Sequence, residues 1–353
     1  MKSALLAPTL VLLLMACSGG SNTAPASVAP TSSTTAAPTT TTAPAPTSTL
    51  PLAPSTTVAP AATTIAELLS LGRPIVIAHT GGEDEFPAST LFAFARSTQA
   101  GVDMLDLNVQ LTGDGVLVVH HDDSVDRSTN GTGALADLTY AQVAAFDDAY
   151  WFTANCVCTD QPVADYIYRG MRTGEVTPPD GFRPDDFAIP RFRDLVERYP
   201  DALLNIEIKG SGEPAIAAAR VLAHELRELR RLDASVVTSF DDTAVAAFAA
   251  FAPEVELTPG LDLHTKWVLE RTPLPTGMRI LQLPPEYYGL EVITPELVAD
   301  SRAAGYLIWV WPNDRTLENR ASYIDFLQQG LDGLNINFPA EGVAALAEFE
   351  ASL

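Results

Sequence analysis

The alternation that begins near residue 74 limits this chain more than any other feature. Wholly apolar runs of strand length take turns with helical stretches from there to the C-terminus. The runs fall at residues 74–79 (PIVIAH), 104–111, 116–121, 202–209 (ALLNIEIK), 235–240 (SVVTSF), 255–258, 280–283, 306–311 (YLIWVW) and 331–338. Helical patterns fill residues 90–100, 141–146, 192–198, 213–231, 243–251, 295–304 and 318–329, and a last helix follows Pro339. Strands that are apolar on both faces belong to a parallel sheet covered by helices. At this size the expected fold is a TIM (β/α)8 barrel. Nine runs are one too many for eight staves, and residues 255–258 are the weakest candidate. Residues 150–190 break the rhythm with Trp151, two cysteines and Pro178-Pro179-Asp180-Gly181, so they read as a small insertion after the third strand.

The barrel domain is expected over residues 68–353, because what precedes it cannot fold. Residues 1–17 (MKSALLAPTLVLLLMAC) have a charged start, a short apolar run and a small residue before Cys17. They resemble a bacterial lipoprotein signal peptide, which implies cleavage at Cys17, acylation of that residue and an exported protein held on the cell membrane. A plain secretory signal is the alternative. Residues 18–67 are almost entirely Ser, Thr, Ala and Pro, a disordered tether with nothing to bury. As a coil of about 50 residues it reaches roughly 40 Å. The net charge of -23 excludes a nucleic-acid partner, since no basic face exists to neutralise phosphates. Any anionic substrate then needs a local cation. Cys156 and Cys158, two residues apart, make a strained bridge at best and are expected as a pair on a mobile loop.

In a barrel the working side chains stand at the C-terminal ends of the strands. Those ends carry His79, Asp106, Asn108, His121, Glu207, Lys209, Ser239, Trp311, Asn313 and Asn337. Asp106 and Asn108 are two apart and share a face, as do Glu207 and Lys209. Oxygen donors grouped beside imidazoles suit a hard divalent cation, Ca2+ or Mg2+, with acid–base partners. Either histidine alone reads as a core residue, and Glu207 with Lys209 as a structural ion pair; the assembly argues for chemistry.

Ile77-Ala78-His79, Asp106-Leu107-Asn108-Val109, residues 118–122, residues 126–133 (DRSTNGTG), residues 205–210, Trp311-Pro312-Asn313-Asp314 and residues 330–339 resemble the glycerophosphodiester phosphodiesterase family. Its members are TIM barrels with a small insert after the third strand. The resemblance implies metal-assisted cleavage of a small phosphodiester or lipid headgroup. It implies that His79 and His121 are the catalytic histidines. Asp106 and Asn108 match the family's Glu-Leu-Asp metal pair, Glu207 its third metal carboxylate, Lys209 a phosphate-contacting lysine and Trp311 an aromatic at the pocket mouth. Five positions depart from the pattern, the first being Asp106, one methylene shorter than the family's glutamate. Thr80 stands for an arginine, Ala88 for a glutamate, Asn108 for an aspartate and Asn337 for an aspartate. Glu83 and Glu85 are candidates for the missing carboxylate. The departures leave two rival expectations, a non-catalytic cell-envelope binding barrel and a phospholipase D-like activity.

Overall fold

A computed structural model of the chain describes residues 62–353. The expected signal peptide, Cys17 and residues 18–61 of the expected tether lie outside the described residues. The strands in chain order are β1 (Ile75–Ala78), β2 (Met104–Leu111), β3 (Leu117–Val119), β4 (Phe152–Thr153), β5 (Cys156–Val157), β6 (Leu204–Ile208) and β7 (Ser235–Thr238). They continue with β8 (Glu256–Leu257), β9 (Ile280–Leu283), β10 (Glu286–Tyr287), β11 (Leu290–Glu291), β12 (Leu307–Val310) and β13 (Gly333–Ile336). The helices are α1 (Ile65–Leu69), α2 (Leu91–Ala100), α3 (Tyr140–Val143), α4 (Phe192–Arg198) and α5 (Gly212–Glu228). Then come α6 (Asp242–Phe251), α7 (Leu261–Glu270), α8 (Pro295–Ala304), α9 (Arg320–Gln328) and α10 (Pro339–Ala351).

Eight strands pair side by side in the order β8-β7-β6-β2-β1-β13-β12-β9, all parallel, and make a nearly closed TIM barrel. The surplus run is residues 116–121 and not residues 255–258. Its β3 folds back antiparallel onto β2, with Val109 opposite Val119, because the turn at Gly113-Asp114-Gly115 is too short for a parallel crossover. The run at 255–258 supplies β8, a short barrel stave on β7.

Side-chain parity explains how the barrel carries its site. Leu105, Leu107 and Val109 of β2 and Leu204, Ile206 and Ile208 of β6 face the helices and share one core with α5. The alternate positions face inward. At the N-terminal end they are apolar: Ile77, Met104, Leu203, Val236, Ile280 and Trp309 form a plug. Helix α1 closes this end, with Ile65 and Leu68 buried in the same cluster. It starts on a capping box between Thr64 and Glu67, so ordered chain begins a few residues before residue 68. One layer up, the inward positions turn polar at Asp106, Asn205 and Gln282; a further layer up stand His79, Glu207 and Asn337.

Within residues 150–190, β4 and β5 form a small hairpin of their own. The pair expected on a mobile loop is joined, Cys156 to Cys158, with the two Cα atoms 5.5 Å apart. Side chains two apart in a strand share a face, and that spacing lies within the reach of a disulfide. No described helix is long and apolar enough to cross a membrane.

Candidate active site

A cavity of about 430 Å³ opens at the C-terminal ends of the strands, and His79, Asp106, His121, Glu207, Lys209 and Trp311 all line it. Six of the seven expected site residues therefore meet in one place. Asn108 is buried and is not part of the lining. Of the two candidate substitutes for the missing carboxylate, Glu83 lines the cavity. Glu85 turns away, toward the backbone N–H of Ala340.

His79 follows directly on β1 and is locked by Asn337, whose Oδ1 lies 2.8 Å from Nδ1. The orientation of that amide is forced, because its Nδ2 donates to Asp84 Oδ2 at 2.9 Å and to Glu83 Oε1 at 3.2 Å. Carboxylates only accept, so Oδ1 faces the imidazole and Nδ1 carries the proton. Nε2 is left as the working nitrogen. Burial opposes a charge on this ring, but Glu83 and Asp106 outweigh it, and the His79 pKa lies above the usual histidine value. Burial also works against Glu83, yet His79, Arg127 and Arg315 hold it below the ordinary glutamate range. An asparagine at 337 is thus the residue that lets two carboxylates sit beside it.

His121 follows β3. Gln110 pins this loop by donating from Nε2 to the carbonyls of His120, His121 and Asp122 at 3.1, 3.2 and 2.8 Å. Asp122 accepts from His121 Nδ1 at 2.7 Å, and Arg127 in turn grips Asp122. Nε2 of His121 faces Lys209 Nζ at 3.4 Å. Since the ammonium can only donate, Nε2 is held as an acceptor. Lys209 also pairs with Glu207 Oε1 at 3.2 Å. His120 points the other way, toward the carbonyl of Ser124, and is a satisfied core histidine.

Beneath the histidines lies a polar layer that the motif reading missed. Asn205 donates to Asp106 Oδ1 at 2.6 Å and exchanges two hydrogen bonds with Gln282. Asp106 is buried, and burial raises its pKa despite the nearby His79. Arg315, also missed, lines the cavity and bridges Asp84, Glu83 and the carbonyl of Asn155. That carbonyl is the link between the insert and the site; no residue of 150–190 lines the cavity. Thr80, which replaces an arginine, is buried in the left-handed region at φ 48°, and its hydroxyl has no partner. A β-branched residue there is strained.

For a divalent cation the donor set offers the Asp106 and Glu207 carboxylates and the Asn108 amide. Asn108 is the register partner of Glu207; only its Oδ1 can ligate a cation, and the amide atom left without a partner is the Nδ2 donor, which cannot. Oxygen-only donors suit Ca2+ or Mg2+. Among the described residues no three His, Cys, Asp or Glu side chains are grouped to hold an ion, so the set is complete only with the amide as third donor.

A model of the glycerophosphoryl diester phosphodiesterase family matches residues 79–341. A glycerophosphodiester phosphodiesterase of Caldanaerobacter subterraneus is 28% identical over 272 residues, 76% of this chain and 95% of that protein. One from Bacillus altitudinis is 25% identical over 279 residues, 78% of this chain and 99% of that protein. The same fold occurs in an Oleispira antarctica phosphodiesterase solved in complex with the product sn-glycerol-3-phosphate. That structure has a TM-score of 0.59 and 20% identity, covering 78% of this chain and 97% of the other.

Proposed function

We propose that this chain, which belongs to the glycerophosphoryl diester phosphodiesterase family, hydrolyses glycerophosphodiesters to an alcohol and glycerol 3-phosphate. It is a phosphoric diester hydrolase in which two histidines work on one phosphorus. The observation that carries this reading is the convergence of His79 Nε2 and His121 Nε2 on one cavity with Lys209 beside them.

His121, aligned by Asp122 and neutral at Nε2, takes the proton from the attacking oxygen. A P–O bond forms to that oxygen, and the P–O bond to the alcohol breaks. His79, whose raised pKa keeps it protonated further up the pH range, gives its Nε2 proton to the leaving oxygen. Lys209 meets the phosphate charge that an acidic protein would otherwise repel. Asp106, Asn108 and Glu207 would hold a divalent cation, Ca2+ or Mg2+. When bound, it supplies charge neutralisation at a non-bridging phosphate oxygen.

The test is release of glycerol 3-phosphate from glycerophosphocholine by purified protein, with Ca2+, with Mg2+ and after chelation. Turnover with either cation and loss on chelation support the reading. No turnover under any of these conditions sinks it and favours the binding-protein alternative, which the missing third carboxylate motivates. Choline release from phosphatidylcholine with no turnover of glycerophosphocholine would point instead to phospholipase D-like chemistry.

We further propose that the domain works outside the cell, tethered to the membrane through a lipid on Cys17. The signal-like residues 1–17 support this. So does the Cys156–Cys158 disulfide, a bond that persists in oxidising compartments. Labelling with a radioactive fatty acid should mark the wild-type protein and not Cys17→Ser.

A further inference from the structure

His121 borders two cavities. One is the barrel mouth. The other, of about 10 Å³, is bordered also by Ala88, Ser89, Arg127, Ser128 and Asp148. A space of this size holds a single water at most, so its groups act on one another and not on a substrate. Ala88 stands where the family pattern carries a glutamate. The carboxyl group missing there is present in the same small space, brought in by Asp148 from the segment between α3 and β4.

Asp148 is 2% exposed, and the local fold does not account for it. Its neighbour Asp147 is committed to the backbone: Oδ1 accepts the N–H of Ala149 at 3.1 Å and Oδ2 that of Gly170 at 2.7 Å. Asp148 Oδ1 instead accepts the Ser128 hydroxyl at 2.5 Å, and its Oδ2 has no partner among the described residues. A buried polar atom left without a partner is costly, so a carboxyl group kept here calls for a role. Ser128 is held a second time, since its carbonyl accepts the Trp151 N–H at 3.3 Å. The two bonds fasten the residue after Arg127 to the approach to the insert. Arg127 reaches Asp122 through Nε and Nη2, and Asp122 accepts from His121 Nδ1. An unbroken line of contacts and one peptide bond therefore joins Asp148 to the imidazole.

The charges agree with this arrangement. Burial pushes the Asp148 carboxyl up to about 8, against the pull of Ser128 and Arg127 and with the help of Asp147 and Asp122. His120, the other titratable group at this cavity, is turned to the carbonyl of Ser124. At neutral pH Asp148 is the uncharged acid. It does not compete for the guanidinium, which stays with Asp122.

We propose that Asp148 is a positioning residue for the reaction: by holding Ser128 it fixes Arg127 on Asp122, and so keeps His121 protonated at Nδ1 and open at Nε2. The inference rests on the phosphodiesterase reading for what His121 then does. No bond is made or broken at Asp148.

The experiment compares wild type with Asp148→Ala, Ser128→Ala, the double variant and Asp148→Asn, each checked for folding by circular dichroism. One readout is turnover of glycerophosphocholine. The other needs no turnover: nitrogen NMR spectra of protein isotopically labelled at histidine, with the His121 signals assigned by their loss in His121→Ala. Asp148→Ala and Ser128→Ala should each lower kcat by about 3–10-fold with KM unchanged, the worth of one hydrogen bond. The double variant should lose no more than either. In both single variants His121 should move from the Nδ1-protonated tautomer toward a mixture. Asp148→Asn keeps an uncharged acceptor for Ser128 and should recover most of the loss at neutral pH. Ser128 is only half-buried and is the variant to read should Asp148→Ala fail to fold. Unmoved His121 signals in the alanine variants overturn the proposal, whatever kcat does, and leave the phosphodiesterase reading intact. Losses that add in the double variant overturn it too, since the effect then does not pass through Ser128. Absence of turnover by wild type overturns the phosphodiesterase reading, and the His121 signals still decide the role of Asp148.

Discussion

The two walls of the barrel-mouth cavity are built by different means. On the titratable wall each group is fixed by a partner with a definite direction: His79 by Asn337, His121 by Asp122, Asp106 by Asn205, Glu207 by Lys209. Most of these side chains stand on or next to barrel strands, which are the stiffest part of the fold. The opposite wall has fewer: His264 Nε2 accepts the backbone N–H of Gln282, and Arg315 donates to Asp84 and the Asn155 carbonyl. It is carried by α7 and by the β10–β11 hairpin, a two-stranded sheet that pairs only with itself. Proton transfer needs atoms held within a few tenths of an ångström, whereas an apolar lining needs only area and shape. The groups with directed partners therefore stand mostly on or beside barrel strands, and most of the apolar lining stands on appended elements.

The largest expected effect tests the stiff wall. His79→Ala and His121→Ala should each lower kcat by about 10²–10⁴-fold, the usual worth of a positioned acid or base, with the folded state unchanged by circular dichroism. If either variant keeps wild-type kcat, the wall is structural and its histidines are bystanders. Next comes Asn337→Asp, which restores the residue the family pattern carries. It removes two N–H donors from Glu83 and Asp84 and adds a third negative charge beside them. Hydrogen bonds to charged groups are worth about 1.5–3 kcal/mol, so urea unfolding at neutral pH should show a loss of about that size. An unchanged midpoint would mean that the interlock around His79 is not holding the loop. Asp122→Asn should cost about 10–100-fold in kcat, the same hydrogen-bond energy expressed in a transition state, and should lower stability as well, because it neutralises the carboxylate that Arg127 and His121 hold.

The sequence disclosed these walls unequally. The strand periodicity was legible because burial on both faces demands unbroken apolar runs, and the motif residues were legible because spacing of two puts Asp106 with Asn108 and Glu207 with Lys209. The strand count was harder. Residues 116–121 look like a buried stave, and only the hairpin turn before them tells otherwise. Asn205, at the start of the 205–210 motif, was given no role, and Gln282 and Gln110 lay in no motif, because an amide in an apolar run carries no charge, although an inward parity position was a usable signal. Arg315 lies two residues after Asn313 on a loop, where sequence gives no direction. The apolar wall was invisible: Leu261 and Val268, half-buried at the cavity, read in the sequence like the core residue Leu283 beside them. Asn108 shows the limit of the motif itself, since it occupies the right position but is buried and is not among the residues lining the cavity.

The smallest expected effect compares one residue type on both walls. His79 and His264 both line the cavity, yet their surroundings push them apart. His79 is raised by the net effect of Glu83 and Asp106 against burial. His264, on α7, is pushed by burial down to about 4 from an ordinary value of 6.5, and its Nε2 accepts the backbone N–H of Gln282 at 3.1 Å. Protonating Nε2 would break that bond. The unfolded chain therefore binds a proton that folded His264 refuses, so its contribution to stability is present above pH 6.5 and is lost as pH falls toward 4. For His79 the sign is opposite. Folding raises its proton affinity, so its contribution is full below pH 6.5 and fades as pH rises through the higher folded value. Denaturant midpoints measured across this range should show His264→Gln less sensitive to acid than wild type. His79→Gln should instead be less sensitive to rising pH above 6.5. The activity profile separates the walls further: the pH midpoint of kcat should move in His79 variants and stay in place in His264→Gln. A shifted midpoint in His264→Gln would put a working proton on the apolar wall, and the division between a wall that reacts and a wall that only covers would fall.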